Sequence, residues 1–277
     1  MPKITVKAFN NAVINIERFN SAQEVVRASA SRKITSDAFH NMEDPEQVDS
    51  TFTSVHSLEE ALEIMRIGYQ PAVENLKTAN SGLSGQGKRI AFQNDVVGFA
   101  PVVPLAIMGV PQSMMNMHMR PIKTKVIDVY YSMTVSCATS TRTIIENGQR
   151  LLGAIMNLEH QGYRINLYAI QEYYRNGSAD MLVVKIKSSN TPLDLKRMSF
   201  ALIHPAFFRV VGFDWYSKTP NGQYRLNYGH ALGYDFDEQT MQRGFQEMFG
   251  QNAVVFSGAK LSKDREHLET VMKGGDK

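Results

Sequence analysis

The chain has 277 residues, 43% of them hydrophobic and 21% charged, with 30 Lys and Arg against 27 Asp and Glu. That balance describes a globular chain able to bury a sizeable core and excludes disordered or collagen-like classes. A single cysteine excludes an intramolecular disulfide framework and a Cys-rich zinc or iron–sulfur centre, so a cytoplasmic setting is expected. No stretch approaches the ~20 apolar residues of a bilayer span, and the opening Met1–Asn10 alternates like a strand instead of forming a signal core.

The first elements follow from pattern. Ile4 to Ile16 alternates well enough for one or two strands, and Ser21 to Ala30 suits a short amphipathic helix. Acidic residues concentrate between positions 37 and 63. Within that stretch Ser57-Leu-Glu-Glu60 forms a capping box, which starts a helix with Leu58, Ala61, Leu62 and Met65 on one face and Gly68 as its stop. A second short helix is predicted over Pro71 to Thr78, followed by the glycine-rich Gly82 to Gly87 and an extended segment from Ile90 to Val97. Val96 to Val110 is apolar but broken by Pro101 and Pro104, which predicts a buried, irregular wall.

The second half is more regular. Lys125 to Ser136 alternates Val126, Asp128, Tyr130, Ser132 and Thr134 against Ile127, Val129, Tyr131, Met133 and Val135, the period of a half-buried strand. A helix capped at Thr139 or Ser140 runs to about Gly162, and strands follow at Tyr163 to Ile170 and Asp180 to Lys187, joined by a turn at Asn176-Gly177. Pro192-Leu-Asp194 opens another helix that His204-Pro205 must break. Trp215, Tyr216, Tyr224 and Tyr228 are placed in a loop or hairpin region, and a helix at Glu238 to Met248, a strand at Ala253 to Phe256 and a helix at Lys263 to Met272 complete the chain.

Several constellations bear on chemistry. Gly82, Gly87 and Lys88 fit the letters of a phosphate loop, but a helical segment precedes them and Arg89 stands where a magnesium-binding hydroxyl belongs. Met114, Met115, Met117, His118 and Met119 form a soft-ligand cluster that equally suits an adaptable contact surface. Cys137 and the scattered histidines supply neither a nucleophile with its base nor a zinc spacing, so no catalytic residue, metal or cofactor is expected. Arg120, Lys123 and Lys125 lead into the central strand, Lys185 and Lys187 alternate along another, and Lys196 and Arg197 open a helix. Were the strands neighbours, these seven would make a cationic stripe, with Tyr168, Tyr173 and Tyr174 available for stacking on bases.

Ser57 through Glu63 with Gly68, Asp95 through Pro104 with Gly109 to Met114, Gly148 through Arg164, and Pro192 to Asp194 with Phe200 to Pro205 recur in one order. In this the chain resembles an uncharacterised family of tailed-bacteriophage proteins, which implies production in a host cytoplasm and no particular activity. Asp95, Asp194, His204 and Arg209 are the polar positions among the family-like ones and form a candidate polar site with Asp128. Asp128 and Ser132, in a strand followed by a helix, also resemble the strand–helix–strand pattern of von Willebrand A domains, though Tyr130 stands at the first serine position of that metal motif.

The expectation is an α/β fold with a central mixed sheet and flanking helices, a core domain over residues 121–277, and an irregular N-terminal extension over residues 1–120 packing on it. The expected function is that of a phage accessory protein that binds a macromolecule, a host protein or nucleic acid, without catalysis and without a membrane. Two alternatives stay open: an enzyme or phosphate-binding protein with a site assembled from distant residues, and a virion or assembly component that forms a homo-oligomer.

Overall fold

A computed structural model describes residues 3–9, 12–34, 41–71, 88–121, 125–136, 138–175, 177–219, 231–232 and 236–274. Its centre is a six-stranded mixed sheet in the order β1-β2-β8-β7-β6-β9. The strands are β1 (Lys3–Phe9), β2 (Ala12–Phe19), β6 (Val126–Ser132), β7 (Arg164–Arg175), β8 (Ser178–Lys187) and β9 (Ala253–Ser257). A smaller three-stranded sheet, in the order β3-β5-β4, holds β3 (Lys88–Asp95), β4 (Ala100–Pro101) and β5 (Met114–Pro121).

Strand β6 runs parallel to both its neighbours, β7 and β9, whereas β7 and β8 pair antiparallel. Helix α5 (Thr141–His160) connects the parallel pair β6 and β7, as a crossover must. Its start is set by Ser140, whose hydroxyl accepts from the Thr143 N–H. The two N-terminal strands join the same sheet through a parallel pairing of β2 with β8. The first residues of the chain thus form one edge of the central sheet.

One face of this sheet carries α1 (Ala22–Ala30), α2 (Ser50–Thr53), α3 (Leu58–Ile67), α5 and α6 (Leu195–Ile203), then α7 (Phe213–Ser217) and α9 (Arg265–Lys273). The other carries α8 (Glu238–Phe249), whose Met241, Phe245 and Met248 bury Tyr130, Ile170 and Val183. This second layer corrects one expectation: β6 is buried on both faces, with Tyr130 and Ser132 as inaccessible as Tyr131. Burial on both sides is the usual state of a strand between parallel neighbours. Helices α5 and α6 approach closely at Gly148, where a Cβ would lie 2.2 Å from the Leu202 carbonyl oxygen.

Ser57 caps the helix as read, accepting from the Glu60 N–H, while the Glu60 carboxylate reaches one residue past the cap and accepts from the His56 N–H at 2.7 Å. Gly68, at φ 86°, ends the helix. Pro205 stops α6 at Ile203, and a π-helical turn over Phe207–Gly212 follows, its Phe207 carbonyl accepting from the Gln171 side chain. Trp215 and Tyr216, expected in a loop, lie instead in α7 and are buried, because Tyr216 stacks on Tyr173 at 4.0 Å and the Trp215 indole donates to Glu17. Tyr224, Tyr228, the predicted helix from residue 72 onward, and Asn176 lie outside the described residues.

Polar contacts tie the N-terminal segment to this layer. Arg32 forks onto Glu17, Ser29 donates to Asp214, and Lys218 pairs with both Asp214 and Glu43 at 2.8 Å. Such charges are tolerated in a core because each meets a partner.

Candidate functional site

Two places stand out, one on the smaller sheet and one at the end of the larger. The smaller sheet and its short helix α4 (Val103–Ile107) occupy residues 88–121, between α3 and β6. Here the buried wall expected from Val96 to Val110 is overturned. Val97 is 73% exposed, Ile107 81% and Met108 73%, with Phe92, Val96, Phe99, Val103 and Met117 also open to solvent. Prolines at 101, 104 and 111 deny this segment long strands, and neither described core cluster contains any of its residues. An apolar surface of this extent is what protein partners usually cover.

The same arm holds Asp95, which accepts from the Val96 N–H at 2.6 Å and lies 3.5 Å from the His118 imidazole. Its carboxyl is held below the ordinary range first by the Val96 N–H, then by Asn116 and His118. The methionine cluster of β5 is exposed at Met117. Arg120 is paired by backbone register with Arg89. The side chains of Lys88, Met119 and Arg120, and all of Gly82, Gly87, Lys123 and Cys137, lie outside the described residues.

The remaining cationic positions do not share one environment. Lys125 is exposed and its ammonium donates to the Lys273 carbonyl. Lys185 lies over the Tyr168 ring at 5.8 Å. Lys187, expected to point outward like Lys185, is 3% exposed and pairs with Glu159 of α5 at 2.5 Å. A register shift is the cause: Lys187 stands opposite Leu167 and Lys185 opposite Tyr168, so a β-bulge turns Lys187 onto the helical face. Lys196 and Arg197 are exposed at the start of α6, where Arg197 pairs with Asp194 at 3.5 Å. Tyr173, a candidate base-stacking residue, is buried.

The candidate polar positions also occupy separate surroundings. Asp194 is the N-cap of α6. His204, at the other end of that helix, packs edge-on to Tyr69 and accepts from the Ala206 N–H, and burial lowers its pKa to about 4. The Arg209 guanidinium sits among Phe52, Phe208 and Phe213. Asp128 lies toward the amino end of β6, bonded to Asn166 at 2.6 Å, whereas a von Willebrand-type cation would sit at the carboxyl end.

At that carboxyl end lies the second place, which the sequence reading passed over. A crevice of about 190 Å³ opens between β6, β9 and the first turn of α8. Glu172 of β7, fully buried, lines it. The Ser132 hydroxyl donates to Glu172 Oε2 at 2.6 Å, and the Glu172 N–H donates to the Thr134 hydroxyl at 2.8 Å. The other oxygen, Oε1, has no hydrogen-bond partner among the described residues. Burial pushes the Glu172 carboxyl up to about 7, against the opposing hydroxyls of Ser132 and Thr134. Asp237, Glu238, Lys260 and His267 supply further charge around the opening. The signal available in sequence was the hydroxyl alternation Ser132, Thr134, Ser136 running on from the last residue of β6, together with a lone carboxylate inside the apolar run of β7.

Among the described residues no helix is long and apolar enough to cross a membrane. No curated protein and no solved structure matches the chain. Residues 5–265, which take in the arm, nearly all of the central sheet and most of the crevice lining, match the family model described as a domain of unknown function (DUF7192), so the chain belongs to the DUF7192 family.

Proposed function

We propose that this chain is a non-catalytic accessory protein of a bacteriophage, working in the host cytoplasm by binding a host protein through the apolar arm of residues 88–121. The observation that carries this reading is the solvent exposure of Phe92, Val97, Phe99, Ile107 and Met108 on the strand, loops and short helix of one arm outside the core. The phage setting rests on the ordered sequence motifs that resemble tailed-phage proteins. Burial of a few such side chains at about 25 cal/mol per Å² is the ordinary driving force of protein association. A protein partner is favoured over nucleic acid because Lys187 is consumed by Glu159 and Arg197 is paired with Asp194, while the described exposed side chains of the arm are mostly apolar.

The test is cross-linking and capture from nuclease-treated lysate of infected cells, comparing the native chain with F92S/I107S/M108S. Retention of one defined host protein by the native chain, and its loss in the triple variant, is expected. Equal capture by both forms would overturn the arm as the interface. Binding abolished by nuclease would move the reading to nucleic acid. A mass near a multiple of the single chain that the triple variant restores to one copy, measured by light scattering, would move it to self-assembly.

A further inference from the structure

We propose that the crevice at the carboxyl ends of β6 and β9 binds a small organic cation, an alkylammonium or alkylguanidinium group, with Glu172 as its counter-ion. The position is where open α/β sheets present ligand sites: beyond the carboxyl ends of parallel strands, where loops diverge. Here β6 leads into α5 and β9 into α9, and the cavity between them is about 190 Å³.

The side chain that selects the ligand is Glu172. A buried carboxyl is costly to keep charged unless donors or a counter-charge meet its oxygens. Ser132 serves Oε2, Oε1 is buried without a donor among the described residues, and Glu172 lines the crevice. A cation entering the crevice supplies that donor together with the compensating charge. The rest of the lining suits an alkyl stem: Phe236, Met241, Val255 and Leu268 form an apolar wall.

A bare metal ion fits less well. Among the described residues no three His, Cys, Asp or Glu side chains gather to hold one. Asp237, the next carboxylate in the lining, is engaged by the Thr240 N–H and hydroxyl at 2.9 and 2.7 Å. The charged groups facing Glu172 are Asp237 and Glu238 at the start of α8, Lys260 in the loop after β9, and His267 on α9. The raised Glu172 carboxyl means that its full charge, and so the tightest binding, is reached above neutral pH.

The experiment is calorimetric and NMR titration of the full chain with n-butylammonium, n-butylguanidinium, neutral n-butanol and magnesium chloride at pH 8. At least one of the two organic cations is expected to bind at millimolar concentration or tighter, with amide shifts at residues lining the crevice. Affinity should fall at least tenfold in E172Q and in M241W, which fills the cavity. It should also fall at least fivefold in the native chain at pH 6, and that fall should persist in H267N. Should E172Q fail to fold, M241W and the pH comparison decide the matter. Absence of binding by both organic cations overturns the proposal, as do equal binding of n-butanol, unchanged affinity in folded E172Q and M241W, or magnesium binding that displaces the cations.

Discussion

The six-stranded sheet and the three-stranded arm treat apolar residues in opposite ways. In the sheet, Ile14, Val129, Leu167 and Val184 are sealed between α8 and the helices of the other face. In the arm, Val97, Ile107 and Met108 face solvent. Composition alone does not separate the two, since both are rich in aliphatic and aromatic side chains. The difference is what lies opposite: the sheet has helices on both sides, and the arm belongs to neither core cluster. Apolar residues report a core only where a second layer exists to bury them.

Energetics should divide along the same line. The largest loss is expected from W215A, which removes a buried indole and its bond to Glu17 and should cost about 4 kcal/mol in urea unfolding. K187A should cost about 3 kcal/mol, because Glu159 then stays at the sheet–helix boundary without its partner. Replacing both, as K187M/E159L, should recover most of that loss; failure to recover would show that the bulge, and not the pair, stabilises this end of β8.

The acid–base behaviour sharpens the comparison because two buried groups oppose each other. Glu172 titrates near 7 in the fold, above an unfolded carboxyl, so the stability tied to its proton is complete at low pH and is lost as pH rises through 7. His204 titrates near 4, below an unfolded imidazole, so its contribution is complete above about 6.5 and is lost as pH falls through 4. Each effect is up to about 3 kcal/mol, and over pH 4–7 they run in opposite directions. The native chain should therefore show a shallow profile. E172Q should leave stability falling toward acid, and H204N should leave it falling toward base, as read by denaturation at pH 4.5, 6 and 7.5.

The smallest effect is expected in the arm. F92S/I107S/M108S should change unfolding free energy by under about 0.5 kcal/mol while abolishing partner capture. A larger destabilisation would place the arm within the folded core and erase the contrast.

Much of the fold was legible in sequence where the cause is local. The Ser57 cap of α3, the Ser140 cap of α5, the alternation of β6 and the stop at Pro205 each depend on residues within a few positions of one another. The candidate site was less legible. Lys187 reads as an outward partner of Lys185 until the bulge against Leu167 and Tyr168 reverses it, and bulges are set by strand pairing. Glu172 and Ser132 stand 40 positions apart and meet only because β6 and β7 run parallel.

By itself, the sequence determined the period, caps and breaks of most elements, the α/β class and the absence of a disulfide framework, since these follow from neighbouring side chains and composition. Tertiary structure alone decided that the first strands close the central sheet, that β6 is covered on both faces, that Val96 to Val110 faces water and that a buried carboxylate lines a crevice. These depend on which distant segments come to lie against one another, and burial and desolvation are properties of that arrangement.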